Sequence, residues 1–349
     1  MIHFADLDLL DAGARLPTVG GELHVLLWAG DEVLGAVWIR VYSPLRERGH
    51  REALAERFHA RLYGLQAIRA KSEQEPPAPS SVSLVVSSRS TAAAAACLRR
   101  VQALDPAPGE VLTCEWGAER GLACARNAGW RAARGELIAF LSDACRPEPR
   151  YVAALCRAFT PAEVGAVSGL VAPAELDGYP QIELERLGAL NKGFERRLYH
   201  RDAAAPPLRA LIGTGANLAF RRAALEAVDG FDESLGPGTP IGAGEDLDVL
   251  SRLLDARSVV AHEPSAVVRH VHPRTRSGLL AFLRAEAAAL AAHRAREARP
   301  GTLVRAAAVS QLRAVARAAA RGDRLRAQIA LQRLAGTREG LRLARATGS

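Results

Sequence analysis

The sequence is poor in cysteine and has almost no lysine. Its only lysines are Lys71 and Lys192, and no two cysteines form a CxxC pair. The cysteines are Cys97, Cys114, Cys124, Cys145 and Cys156, an odd number. We therefore expect neither a disulfide framework nor a structural zinc site, but reduced thiols in a cytoplasmic protein.

Long apolar segments are also missing. No uninterrupted apolar run approaches the roughly 20 residues that a membrane-spanning helix needs. The first residues are acidic and apolar, without the charged and then apolar regions of a signal peptide. We expect a cytoplasmic protein that is soluble, or peripheral on the inner face of the membrane.

Acidic residues are outnumbered, and aromatic residues are scarce. The net charge of +8 favours a polyanionic partner, such as a nucleotide diphosphate, an anionic membrane surface or nucleic acid. Nucleic acid is the least favoured of these, because the sequence contains no aromatic stacking platform and no known nucleic-acid motif.

The composition changes along the chain and indicates four segments. The hydrophobic pattern of residues 1–75 predicts a small α+β accessory unit. Its strands are expected at Glu22–Trp28 and Val33–Tyr42 and its helix at Arg51–Ala70. A proline-rich linker follows at 76–80, then the main domain at 81–272. Residues 273–349 predict a basic amphipathic helical tail, broken near Pro300 and Gly322.

The main domain begins with alternating strands and helices. Strands are predicted at Val82–Val86, Glu110–Cys114 and Glu136–Leu141, and helices at Thr91–Leu104 and Arg120–Arg134. This alternation predicts a doubly wound, mostly parallel α/β sheet. Ligands bind beyond the carboxyl ends of the strands in such sheets. The candidate binding residues there are Ser87, Ser88, Arg89, Glu115, Ser142 and Asp143.

Four later segments, in this order, resemble motifs of bacterial family 2 glycosyltransferases with the GT-A fold. They are GLACARNAG at 121–129, GELIAFLSD at 135–143, GTGANLAFRR at 213–222 and GEDLD at 244–248. The resemblance covers roughly residues 81–272. It implies a GT-A fold and a nucleotide-sugar donor, of the UDP or dTDP type that is usual in the family.

The resemblance also implies roles for particular residues. Asp246 would be the general base of an inverting transfer, and Glu245 would orient the acceptor or the base. Arg126, Asn127, Gly215 and Asn217 would lie beside the donor. The residues alone leave an alternative open, because acids at the start of a helix are also common capping devices.

The motif for a divalent cation departs from the family pattern. Relatives carry an aspartate triplet or Asp-x-Asp, and this chain has Ser142-Asp143-Ala144. Mn²⁺ and Mg²⁺ prefer oxygen ligands, so Asp143 and His270 alone would make a weak site. An alternative is that Arg89 or Arg146 neutralises the leaving diphosphate.

Three functions remain open. The first is an active inverting glycosyltransferase whose acceptor the sequence does not identify. The second is a glycosyltransferase-like scaffold without catalysis that binds or regulates another protein. The third is a protein with this fold that binds nucleic acid or a membrane surface. The tail is equally open. Its apolar residues, such as Leu303, Ala307, Leu312, Val315 and Ala319, would either pack on the main domain or lie on an anionic membrane.

Overall fold

The computed structural model describes residues 2–11, 14, 16, 21–41, 54–58, 75–201, 212–295 and 300–346. Most of the predicted helix Arg51–Ala70 lies outside these residues, and 54–57 are helical. The strands are β1 (Ile2–Asp8), β2 (Gly21–Ala29), β3 (Glu32–Val41), β4 (Val82–Ser88), β5 (Glu110–Glu115), β6 (Leu137–Ser142), β7 (Cys145–Pro147), β8 (Val164–Pro173), β9 (Arg197–Tyr199), β10 (Asn217–Arg221) and β11 (Val259–His270).

Nine labelled helices accompany these strands in the described part of the chain. They are α1 (Thr91–Val101), α2 (Leu122–Ala132), α3 (Tyr151–Ala158), α4 (Tyr179–Arg186), α5 (Arg222–Ala227), α6 (Glu245–Asp255), α7 (Arg276–Ala295), α8 (Pro300–Ala320) and α9 (Arg324–Ala346). The strands and helices predicted between residues 82 and 134 are confirmed, with ends that differ by up to three residues.

The main sheet has eight strands in the order β5-β4-β6-β10-β8-β11-β7, and β9 pairs with β11. Strands β4, β5 and β6 are parallel to one another, and β8 is parallel to β11. Strand β10 runs antiparallel between β6 and β8, and β7 and β9 are antiparallel to β11. The α/β class is confirmed, and the sheet is more mixed than the alternation of elements indicates.

Helices cover both faces of this sheet, as a doubly wound fold requires. Side chains alternate along β4, so that Leu84 and Val86 join one hydrophobic cluster and Val85 joins the other. The first cluster includes residues of α1, α3 and α7, and the second includes residues of α2, α5 and α6. Burial on both faces explains why β4 and β8 are buried along their whole length.

The N-terminal strands form a separate three-stranded sheet that packs on the main sheet. The two predicted strands are confirmed and form a hairpin: β2 and β3 are antiparallel and turn at Gly30, whose φ is +61°. Leu26 and Val33 of this hairpin pack in one cluster with Leu170 and Val267 of the main sheet. The guanidinium of Arg269 reinforces the contact, lying 2.6 Å from both Asp6 and Glu148.

A buried carboxylate at this contact makes stability depend on pH. Burial, and then the nearby carboxylate of Glu32, raise the pKa of Glu263. The folded state therefore keeps a proton that the unfolded state loses, and this contribution to stability falls as pH rises from the unfolded pKa to the folded pKa.

We expect Glu263→Gln to lose less stability than the wild type as the pH rises above the unfolded pKa of a glutamate, about 4.3. Urea unfolding at several pH values measures the slope. The control is Glu136→Gln, because the side chain of Glu136 is 62% exposed. Equal slopes for Glu263→Gln and the wild type would show that this carboxylate is ionised throughout.

The C-terminal helices pack closely on one another. Cβ atoms at Gly336 and Gly340 of α9 would lie 2.1 Å from the carbonyl oxygens of Arg284 and Ala288 of α7, so only glycine allows this contact. The predicted break at Gly322 is confirmed by its φ of +66°. None of the helices in the described part of the chain is both long and apolar enough to span a membrane.

Candidate active site

The carboxyl ends of β4, β5 and β6 lie side by side and bring the predicted donor-side residues together. Ser87 pairs in register with Cys114 and with Ser142, and Ser88 pairs with Glu115. The three segments identified as candidate binding residues from the sequence therefore form one edge of the sheet.

Asp143 is held at this edge by hydrogen bonds. Ser88 Oγ donates to Asp143 Oδ2 over 2.9 Å, and the backbone N–H of Arg89 donates to the same oxygen over 3.4 Å. The backbone N–H of Asp143 donates to the carbonyl of Ser87 over 3.0 Å. The Asp143 carboxylate is thus held by donors at the end of β4.

The end of β5 contributes an acid and an aromatic ring. Glu115 accepts a hydrogen bond of 3.1 Å from Thr91 Oγ1, at the start of α1. The guanidinium of Arg89 lies 5.8 Å from the ring centre of Trp116. An aromatic face can stack on a nucleobase, and a cation beside it can contact the adjacent phosphate.

The loop before β10 meets the start of α6 at Asp246. The backbone N–H of Gly215 donates to Asp246 Oδ2 over 2.6 Å, and the N–H of Leu247 donates to Oδ1 over 2.8 Å. Gly244 precedes α6 with φ of +102°, a conformation that favours glycine and that turns the chain into the helix. Asp246 therefore lies in the first helical turn, where the helix dipole stabilises a carboxylate.

Arg126 links this loop to α6. Its side chain is 1% exposed, and it donates to Glu245 Oε1 over 2.9 Å and to the carbonyl of Gly215 over 2.5 Å. The guanidinium lies 5.8 Å and 5.5 Å from the ring centres of Phe140 and Phe231. Residues 119 positions apart in the sequence are thereby fixed in one geometry.

Glu245 is the partner of this buried cation. Burial and the adjacent carboxylate of Asp246 raise its pKa, and Arg126 opposes both effects. Two neighbouring acids thus lie in different environments, since Glu245 is 4% exposed and Asp246 is half-buried. Both residues line the cavity described below, and Asp246 is the more exposed of the two.

These elements enclose a cavity of about 310 Å³. Trp116 and Ser142 line its wall at the ends of the strands, the loop 213–216 and Asp246 line another wall, and Lys192 and His270 also contribute. The remaining wall comes from α7, through Phe282, Ala285, Glu286, Ala289 and Leu290. Sequence patterns do not indicate that α7 closes the site, because its side chains there are mostly apolar and equally typical of a packed helix.

Two residues that the resemblance placed beside the donor instead form buried hydrogen bonds within the protein. Asn217 is fully buried, donating to the carbonyls of Leu170 and Ala266 and accepting from the Tyr151 hydroxyl over 2.9 Å. Asn127 donates to the carbonyl of Phe231 over 2.8 Å and is 2% exposed. Neither side chain lines the cavity, whereas Arg126 and Gly215 do.

The residues present do not make a complete metal site. Among the described residues, no three His, Cys, Asp or Glu side chains form a group that would hold a metal ion. His270 ends the long strand β11, and its Nδ1 lies 3.1 Å from Nδ1 of His272. Burial and then His272 lower the pKa of His270 to about 3, so its ring is neutral. Ala144 supplies no ligand.

Comparison with known proteins identifies the family. The model of the glycosyltransferase-like family 2 matches residues 57–298, more than two thirds of the chain. The chain therefore belongs to this family. The pre-mycofactocin glycosyltransferase of Mycobacterium tuberculosis H37Rv is 28% identical to it over 156 residues. That alignment covers 44% of this chain and only 30% of the relative.

Two solved structures are also similar. The mannosyltransferase PcManGT from Pyrobaculum calidifontis, in complex with GDP-Man and Mn²⁺, is 18% identical, with coverage of 85% of this chain and 86% of that one and a TM-score of 0.45. The fragment 1–349 of S. aureus TarS, in complex with UDP-GlcNAc, is 11% identical, with coverage of 62% and 67% and a TM-score of 0.42. Family membership rests on the sequence match.

Proposed function

We propose that this chain transfers a sugar from a nucleotide-diphosphate donor to an acceptor hydroxyl, with inversion at the anomeric carbon. The observation that supports this best is the position of Asp246. Its carboxylate lines the same cavity as Trp116 and Ser142 at the ends of the parallel strands. Family membership supports the class of reaction.

The reaction needs a base on the acceptor side. The acceptor oxygen forms a bond to the anomeric carbon, the bond from that carbon to the phosphate oxygen breaks, and its electron pair leaves with the nucleoside diphosphate. Asp246 takes the hydroxyl proton. The hydrogen bonds from the backbone N–H groups of Gly215 and Leu247 hold the carboxylate in place.

Glu245 has a positioning role in this proposal. Its carboxylate contacts Arg126, which also holds the Gly215 carbonyl, so Glu245 fixes the loop that donates to Asp246. Although Glu245 also lines the cavity, it is only 4% exposed and its carboxylate is bonded to Arg126.

The donor would lie across the ends of β4, β5 and β6. Trp116 offers a face for the nucleobase, and Ser87, Ser88, Arg89 and Glu115 lie at the same edge of the sheet. Membership of family 2 supports a nucleotide sugar as donor. The test is to incubate the purified chain with a panel of UDP-, dTDP- and GDP-sugars and to measure release of nucleoside diphosphate. No release from any donor would reject the proposal and favour the non-catalytic scaffold.

We further propose that donor binding does not depend on a divalent cation. Asp143 is the only acid of the tripeptide Ser142-Asp143-Ala144 at the end of β6, and its Oδ2 already accepts from Ser88 and Arg89. Positive charge near the leaving diphosphate would then come from Arg89 and Lys192, whose side chains lie at Trp116 and at the cavity wall. Since the residues do not fit a metal, no step is assigned to one.

The expected result is that nucleotide affinity in EDTA lies within about tenfold of the affinity in Mn²⁺, since Ser142 and Ala144 add no carboxylate ligand. Asp143→Asn is expected to bind nucleotide as well as the wild type or more tightly, because it removes a negative charge near the diphosphate. Calorimetric titration measures both. A large loss in EDTA, together with a loss in Asp143→Asn, would show that Asp143 holds a metal after all.

A further inference from the structure

We propose that helix α8 and the turn that follows it are a docking surface for an anionic lipid membrane. This surface is separate from the cavity of the proposed transfer reaction. It consists of two adjacent strips on α8, one apolar and one basic, and both face solvent in the structure.

The apolar strip is exposed rather than packed. Val309 is 44% exposed and Leu312 is 53% exposed, and Ala316 and Ala320 continue the strip at helical spacing. One interpretation of the tail was that its apolar residues pack on the main domain. Leu312 and Ala319 are exposed, which does not agree with packing, and Val315 is half-buried. The side chains of Leu303 and Ala307 lie outside the described residues. Ala318, on the opposite side of the helix, is 5% exposed and marks the packed face.

The basic strip runs beside the apolar one. Arg313, Arg317 and Arg321 follow one another at intervals of four residues, and all three are exposed. Within the described residues, none of the three forms an ion pair, and the sequence of α8 contains no aspartate or glutamate. Their charges are therefore not neutralised by the described part of the chain and are available to an anionic partner.

A cavity of about 240 Å³ beside Arg317 and Arg321 offers room for an anionic headgroup. The two acids that line it, Glu183 and Asp323, lie 3.7 Å and 3.5 Å from Arg326, and Arg317 and Arg321 add two further positive charges to its lining. The close contact of α9 with α7 through Gly336 and Gly340 supports α8 from behind on a rigid helix pair.

An exposed apolar strip bordered by arginines is what an interfacial helix presents to a membrane. The apolar side chains enter the boundary between headgroups and acyl chains, and the arginines contact anionic headgroups. An anionic membrane satisfies both strips at once, and the net charge of +8 adds long-range attraction. We therefore assign the surface to lipid.

The test uses the full chain and sedimentation with vesicles of phosphatidylcholine, with and without phosphatidylglycerol. We expect binding only to the anionic vesicles. Arg313→Gln with Arg317→Gln should lower the partition coefficient on the order of 30-fold, since each arginine contributes about a fivefold factor at such a surface. Leu312→Ala should lower it about tenfold through lost apolar burial.

Matched variants control for charge and for hydrophobicity. Arg99→Gln with Arg100→Gln removes the same charge from exposed positions on α1, and Leu198→Ala shortens a leucine that is 38% exposed on β9. Both should bind vesicles like the wild type. Circular dichroism confirms that each variant is folded.

Three results would overturn the assignment. Equal binding to neutral and anionic vesicles would show that charge does not drive binding. Equal losses of vesicle binding in the control variants would show that α8 is not the binding surface. The third result is detected by light scattering on the same samples. A dimer that Leu312→Ala dissociates, without any vesicle binding by the wild type, would make this face an interface between two copies of the chain.

Discussion

Asp246→Asn is expected to lower the turnover of the transfer reaction by about 10²- to 10⁴-fold, the usual contribution of a general base. The asparagine has nearly the same shape, and its single carbonyl oxygen can accept from Gly215 N–H, which donates to Asp246 over 2.6 Å, so that only the bond from Leu247 N–H is lost. Fold and donor binding should therefore be retained. The loss should appear in kcat, with the affinity for the nucleotide changed little.

The matched control for this variant is Asp248→Asn. Asp248 lies on the same helical turn but bonds to Arg252, with 2.7 Å between Oδ2 and Nη2, and does not line the cavity. Its turnover should remain near that of the wild type. If Asp246→Asn keeps wild-type turnover, another group takes the proton and our assignment of the base is wrong.

Arg126→Leu is expected to lower the free energy of unfolding by about 3–5 kcal/mol, the cost of breaking a buried ion pair from one side. The leucine leaves the carboxylate of Glu245, which is 4% exposed, and the carbonyl of Gly215 without their donor. Arg126→Lys should also be destabilised, because an ammonium group cannot reproduce the planar fork that bonds both acceptors.

Arg131→Leu, on the same helix, is the control for Arg126→Leu. The Arg131 side chain is 50% exposed and lies 3.5 Å from the almost fully exposed Asp229, so its removal should cost less than about 1 kcal/mol. Combining Arg126→Leu with Glu245→Leu should restore part of the lost stability, because no buried charge is left alone. Urea unfolding measures all four proteins. Equal losses for Arg126→Leu and Arg131→Leu would contradict the buried pair.

The first half of the main sheet is predictable from the sequence because its signals there are local. Val82–Val86 is a short apolar run, and polar residues follow it at once, so both the strand and the binding edge are visible. Parallel strands that are consecutive in the chain end at the same edge, and this rule alone places Ser87, Glu115 and Ser142 together.

The remainder depends on contacts between distant residues. Arginine is seldom fully buried, so nothing local indicates that Arg126 lies 1% exposed between two phenylalanines and bonded to Glu245. The sequence also does not indicate that β10 runs antiparallel between β6 and β8. Nothing in the segment NLAFR at 217–221 shows in which direction the strand runs relative to its neighbours. The resemblance to family 2 indicated which segments matter, but not which side chains reach the cavity.

We infer that the ends of β4, β5 and β6 form a nucleotide site, and calorimetric titration of UDP, dTDP and GDP tests this claim most directly. We predict saturable binding of at least one of the three, with one nucleotide per chain. We also predict weaker binding to Trp116→Ala, which loses the aromatic face at the cavity wall. Absence of binding by all three nucleotides would contradict this claim and leave a glycosyltransferase-like scaffold without a donor site.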